Sequence, residues 1–396
     1  MLKRPIINTV YQTLGKVLMI LMSLITTAIL TRKLGAGVYG AFVLTTSVFL
    51  LLDSIADFGS RAIGVKEAAQ NPEKAEEIFS ELTGLRLLLA SGGFLIGLLI
   101  ILFWPGFAGI KVEALISLSM IFFTSLAGSL EIVFQTKMKM GLKTIMDICF
   151  PLGFLILILI FRNFNLLLVM VFYLIARIFS LVIGEKLINR KIKLKVDRVW
   201  HWLKEMWPMG VYLLVFTAYD RAIDSMMIRH FWGLKEVAWY GLSYKMYINL
   251  LQPAYFFVAS IFPLLSSKME NKRKLFMKSM LFIVTSILIA IPLLWTIAPW
   301  MISALAGSDF GPSIAVFRVL VLALFFAYLN HLFGFSLISK RGQKSILYLG
   351  LIVLAFNIFG NWYCIPRFGI MGAAWITVGT EALSCLLLGT KLLALR

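Results

Sequence analysis

The sequence predicts an all-α polytopic membrane protein, with about 12 transmembrane helices in two six-helix lobes. Three observations carry this. The 396 residues are 60% hydrophobic and only 14% charged, against about 45–50% and about 25% in soluble domains. The apolar residues fall in blocks of about 20, enough to cross a bilayer as helix. The second half of the chain also echoes the first. A soluble chain of this size would need two or three cores, each with a polar skin; 38 Lys and Arg with 19 Asp and Glu are too few to provide one.

The expected spans run 10–30, 38–57, 83–104, 112–135, 144–162, 165–188, 208–231, 237–263, 275–297, 312–338, 345–364 and 369–393. The first follows Met1-Leu2-Lys3-Arg4, a signal-peptide-like start. Its apolar run is too long, however, and no small-residue cleavage site follows. The second closes at Ala56-Asp57-Phe58-Gly59. Ahead of the third, Asn71-Pro72-Glu73 offers an N-cap, a first-turn proline and an early acid, which predicts a short helix. Spans four to six are separated by short turns, and Asn189–Lys195 is a basic linker at the midpoint. Spans seven to twelve follow in the same rhythm. Gly and Pro inside such runs suit spanning helices, and the period-2 alternation of a membrane barrel is missing.

Charge sets the orientation. With the N-terminus inside, Lys66, Lys74, Lys137, Lys139, Lys143, the 186–204 group, Lys268–Lys278 and Lys340–Lys344 all lie inside. Only Arg32, Lys33, Lys111, Arg162, Arg229, Lys235 and Arg367 lie outside. Both termini are then cytoplasmic in an inner membrane. The net charge of +19 therefore reflects topology and anionic headgroups rather than nucleic acid. Cys149, Cys364 and Cys385 show no disulfide or zinc spacing, and His201, His230 and His331 stand apart.

Tyr39-Gly40 and Tyr240-Gly241 stand 201 positions apart, as do Gly141 and Gly342, and Lys139 and Lys340. Each half holds six spans, so the halves share one orientation. That predicts an N-terminal lobe, 1–195, and a C-terminal lobe, 196–396, around a central substrate path.

These residues resemble a family. Thr31-Arg32-Lys33-Leu34-Gly35 through Tyr39-Gly40 is similar to the signature after the first helix of polysaccharide-biosynthesis flippases. Ala56-Asp57-Phe58-Gly59 resembles the end of their second helix. Asp220-Arg221-Ala222-Ile223-Asp224 with Gly233 and Tyr240-Gly241 resembles the seventh and eighth, and Gly369-Ile370-Met371-Gly372-Ala373-Ala374 the start of the last. The chain is identified as a member of the O-antigen-type oligosaccharide flippases of the multidrug/oligosaccharidyl-lipid/polysaccharide (MOP) exporter superfamily. It is shorter than many members and shows no extra C-terminal helices, which argues against the lipid II flippase branch. The resemblance implies a cavity lined by spans one, two, seven and eight.

Charged groups at membrane depth face protein or water. Asp53, Asp57 and Arg61 form one helical stripe; the Asp57–Arg61 spacing suits a structural pair as well as a gating or substrate role. Asp220, Arg221 and Asp224 could neutralise one another in packing. Lys245, Asn249 and Gln252 line span eight, and Gln12 and Lys16 line span one. Lys245 and Arg177 have no acid within a turn, which favours a cavity role unless Glu131 or Glu381 reaches them. Arg318, six residues past Pro312, either snorkels to the outer surface or touches substrate.

Nothing resembles a catalytic set or a phosphate loop, so transport is expected rather than catalysis. Arg61, Arg177, Arg221, Lys245 and Arg318 suit an anionic headgroup such as a pyrophosphate. The expected cargo is a polyprenyl-pyrophosphate-linked oligosaccharide, flipped outward by alternating access; the alternative is a MATE-like cation-coupled drug exporter. Asp53, Asp57, Asp220, Asp224, Glu131 and Glu381 are candidates for coupling or gating, through Na⁺ or H⁺, with no other cofactor. Expected partners are membrane lipids, and the polymerase and glycosyltransferases of the pathway, around a monomer.

Overall fold

The structure is a computed structural model that describes residues 3–161, 163–189, 193–218, 222–266, 272–340 and 343–394. Among them there is no strand. The helices are α1 (Lys3–Asp57), α2 (Ser60–Gln70), α3 (Ala75–Phe103), α4 (Lys111–Thr136), α5 (Met140–Ile160), α6 (Leu166–Ile188), α7 (Val199–Thr217), α8 (Ile223–Phe231), α9 (Leu234–Ser266), α10 (Lys272–Ala306), α11 (Pro312–Ser339) and α12 (Gln343–Ala394). Two are double length. α1 breaks at Gly35 (φ 69°, ψ 173°) and α12 at Gly369 (φ 58°, ψ −140°), conformations that a Cβ strongly disfavours. These breaks divide spans one from two and eleven from twelve.

Among the described residues, eight helices are long and apolar enough to cross a membrane. With the two broken ones counted twice, they account for every expected span but the seventh and eighth. Those fall on α7 with α8, and on α9. Polar side chains such as Lys245, Asn249 and Gln252 lower the hydropathy there, and residues 219–221 of span seven lie outside the described residues.

The chain divides into two compact units: Met1–Leu34 with Ala41–Thr217, and Gly35–Gly40 with Ala218–Arg396. In the first, α4 packs against α2, α3, α5 and α6. In the second, α11 packs against α9, α10 and α12. The first unit runs past the 195/196 boundary expected at the basic linker. The reason is the start of α7: Trp202 and Met206 are buried with Leu82, Leu85 and Ile132 on α3 and α4. Glu81, 1% exposed, receives Arg198 through Nε at 3.0 Å and Nη2 at 2.9 Å, and Trp202 Nε1 at 2.8 Å. The Lys195 amide donates to Ser80 O at 3.1 Å, and hydrogen bonding to Glu81 raises the Arg198 guanidinium above its ordinary range. Glu81→Ala should cost about 1–3 kcal/mol, since it strands the indole N–H. Thermal unfolding in detergent and faster tryptic cleavage at Lys195 and Arg198 would register it.

The short helix expected at Asn71-Pro72-Glu73 is a single 3₁₀ turn, Pro72–Lys74, leading into α3. Asn71 does not cap it. Its side chain instead donates back to Glu67 O at 3.1 Å, closing α2, a helix that hydropathy did not reveal. At the end of α1, Phe58 (φ 36°) and Gly59 (φ 77°) turn the chain through the left-handed region. A Cβ on Gly59 would stand 2.8 Å from Met209 Cβ, so the motif glycine serves both the turn and the packing.

Candidate functional site

Each unit holds a buried polar cluster. In the first, the turn after α1 places Asp57 and Ser60 beside Arg86 of α3, which is 2% exposed. Arg86 Nη1 donates to Asp57 Oδ1 and, at 2.5 Å, to Ser60 Oγ; its Nε donates to Ser125 O at 2.9 Å. Gly128 on α4 makes this possible, because any Cβ there would overlap the guanidinium. Arg61 Nε sits 2.9 Å from Asp57 Oδ1 and its Nη1 3.3 Å from Glu131 Oε2. Lys143 of α5 bridges Glu131 (3.4 Å) and Asp147 (2.7 Å). One turn back on α1, Asp53 accepts a hydrogen bond from Thr124.

Four of the expected residues, Asp53, Asp57, Arg61 and Glu131, are thus gathered by α1, α2 and α4. Asp57–Arg61 is a real pair, with a second carboxylate and a second arginine attached. Arg86, Thr124 and Asp147 escaped the sequence reading, and Lys143 had counted only as a topology lysine.

Arg177 on α6 is different. Its guanidinium lies 3.9 Å over the ring of Phe150 on α5. Phe150, Phe154 and Phe42 converge on Tyr173, one turn before it, with centroids 4.8–6.0 Å away. Glu131, proposed as its neutraliser, is taken by Arg61 and Lys143. Arg177 makes no ion pair with any described residue, and its Nε is buried without a hydrogen-bond acceptor. Gln12 and Lys16 are exposed on α1.

In the second unit, Asp224 on α8 is 1% exposed. It accepts from Tyr240 OH at 2.5 Å and Asn361 Nδ2 at 2.7 Å. Asn361 also donates to Asn357 Oδ1 at 3.1 Å, Asn357 donates to Thr380 at 3.2 Å, and Tyr240 meets Thr377 at 3.2 Å. The Asn361 Oδ1 is buried with no partner. Glu381 accepts from Asn330 at 2.7 Å and Tyr247 at 3.2 Å, and Tyr240, Tyr244 and Tyr247 form a ladder along α9. Asn357, Asn361, Thr377 and Thr380 were missed. The signal was present: Asn357 and Asn361, like Thr377 and Glu381, are i, i+4 polar pairs in apolar helices.

Lys245, Asn249 and Gln252 are half-buried on α9, and the Asn249 Nδ2 has no hydrogen-bond partner. Arg318 donates to Trp295 O at 3.1 Å and lies 5.7 Å over that indole. Asp220 and Arg221 lie outside the described residues.

Comparison with known proteins identifies the family and the fold. A family model described as polysaccharide biosynthesis protein matches residues 6–269. An uncharacterized membrane protein of Methanocaldococcus jannaschii is 26% identical over 246 residues, 57% of this chain and 47% of that one, so the chain spans about half of that relative. Among solved structures, the lipid II flippase MurJ in an inward closed conformation gives a TM-score of 0.79 at 16% identity, over 98% of this chain and 87% of its own. An inward-facing MATE-family multidrug resistance transporter of the MOP superfamily gives 0.73 at 13% identity, over 95% of each. A MOP superfamily transporter from Pyrococcus furiosus gives 0.66 at 10% identity, over 98% and 95%. At such identities the likeness establishes the fold, twelve transmembrane helices in two lobes.

Proposed function

Because the chain belongs to the polysaccharide biosynthesis protein family, we propose that it flips a polyprenyl-pyrophosphate-linked oligosaccharide from the cytoplasmic to the outer leaflet by alternating access. Arg177 is the observation that carries this reading. A guanidinium at membrane depth costs at least a few kcal/mol, and stacking on Phe150 returns about 0.5–2. A carboxylate in ion-pair contact would be the ordinary remedy, and Arg177 has none among the described residues; Asp53 interacts with it only at longer range. An anionic cargo arriving there would supply the missing acceptor with a fork-shaped, charge-assisted contact.

Arg61, Arg221, Lys245 and Arg318 complete the proposed headgroup-binding set, with Gln12, Lys16, Asn249 and Gln252 facing the sugars. The proposed setting is an inner membrane with both termini cytoplasmic, and the activity is transport without chemical conversion. An inside-negative potential favours outward movement of an anion by about 2.3 kcal/mol per charge per 100 mV. Direction then needs no nucleotide. The test is complementation: expression in a strain lacking its own flippase should restore surface glycan. Resistance to cationic dyes with no glycan restored would establish the drug-exporter alternative instead.

Coupling to Na⁺ is a second element of the reading, favoured by the Asp224 cluster. Carboxylate, hydroxyl and amide oxygens converge there, and the orphaned Asn361 Oδ1 is a buried acceptor that costs free energy until something binds it. Purified protein should melt higher in NaCl than in choline chloride at equal ionic strength, and Asp224→Asn should erase the difference. Equal melting of the unmutated protein in the two salts would reject Na⁺ at this cluster.

A further inference from the structure

The first-unit cluster contains more than a salt bridge, and its connectivity is informative. Arg61 touches two carboxylates, and each of those already has a second cation: Arg86 on Asp57, Lys143 on Glu131. The side chains differ sharply in access. Arg61 is 39% exposed, whereas Arg86 is 2% and Lys143 18% exposed. Removing one partner of a buried pair normally strands the other charge, which is the costly outcome. Here Arg61 can leave and each carboxylate still keeps a cation, Arg86 on Asp57 and, on Glu131, Lys143, which Glu131 shares with Asp147.

We propose that Arg61 is an exchangeable arginine. It rests on Asp57 and Glu131 when no cargo is present and swings onto a phosphate-bearing headgroup, while Arg86 and Lys143 stay behind as counter-ions. This rests on the reading of the cargo as a lipid-linked pyrophosphate and adds the device by which the site holds its charge in reserve. Arg86 is then a positioning residue that never touches cargo. Its fixed geometry supports that role: three acceptors, Asp57, Ser60 and Ser125 O, hold the guanidinium. Without Arg86, Asp57 would need Arg61 permanently and would pin it.

The test measures binding of inorganic pyrophosphate to the purified protein in detergent by calorimetry. Arg61→Ala should weaken binding at least tenfold. Arg86→Met should do the same although it leaves Arg61 in place, and Asp57→Asn with Arg86→Met should return affinity to within threefold of the unmutated protein. That rescue separates counter-ion from scaffold, because a merely structural role for Arg86 predicts a double variant no better than the single. Thermal unfolding of each variant identifies any that fails to fold; if Arg86→Met does, Lys143→Met with and without Glu131→Gln provides the equivalent comparison. Unmutated protein that binds pyrophosphate, with Arg61→Ala binding equally well, overturns the exchange alone. No binding by the unmutated protein overturns the pyrophosphate reading as well.

Discussion

Arg177→Ala is expected to lower glycan export at least tenfold while leaving the protein as stable as before, or more stable. The two halves of this prediction share one cause. A structural arginine inside a bundle has a carboxylate, and deleting it strands that partner at about 3–5 kcal/mol. Arg177 has no such partner among the described residues, and its Nε lacks an acceptor. Alanine therefore removes a charge that no ion pair compensates; what is lost is the contact with Phe150 and a long-range attraction to Asp53, which keeps Thr124, Arg61 and Arg86. Arg177→Lys keeps the charge without the planar fork and should recover part of the export. Export would be followed by complementation and stability by thermal unfolding in detergent. Unchanged export in Arg177→Ala would remove the observation on which the proposed function stands.

Gly40→Val is expected to prevent accumulation of folded protein, whereas Gly37→Ala, three residues earlier on α1, should be neutral or slightly stabilising. A Cβ on Gly40 would fall on the carbonyl of Leu234 and within 3.2 Å of the Ala238 nitrogen. Both obstacles are backbone at the start of α9, which cannot rotate away as a side chain can. Overpacking of side chains costs about 1–3 kcal/mol, and displacing a helix end should exceed that range. Gly37 has open space around it, so alanine there gains up to about 1 kcal/mol of helix propensity. The neighbouring Tyr39, 1% exposed, packs edge-on against Phe310 at 5.8 Å. Detergent thermal melts of the two variants, side by side, make the comparison.

The resemblance motifs turn out to mark backbone constraints. Gly35 breaks α1, Phe58-Gly59 turns the chain into α2, and Gly40 admits another helix. Asp57, from the same stretch, was legible as a charged residue and even as the partner of Arg61, since both lie on one helical stripe. Its main partner was not legible. Arg86 stands 29 positions on, at the start of an apolar span where any arginine resembles a topology signal. Glu131 likewise reaches Arg61 across 70 positions, which is why it could not be assigned to Arg177 or to Arg61 beforehand. In the second unit, Asn361 meets Asp224 across 137 positions.

The linear order of residues was sufficient for the class, the spans and the family. Hydropathy, the bias of Lys and Arg between loops, and glycine-dependent turns are all local properties, summed over a window or read at one position. Which cations are neutralised was decided only by tertiary structure. Coulomb attraction and hydrogen bonding depend on separations of about 3 Å between side chains on different helices. Only the packed arrangement of α1 through α6 decides that Arg61 shares two carboxylates while Arg177, equally charged, rests on an aromatic ring.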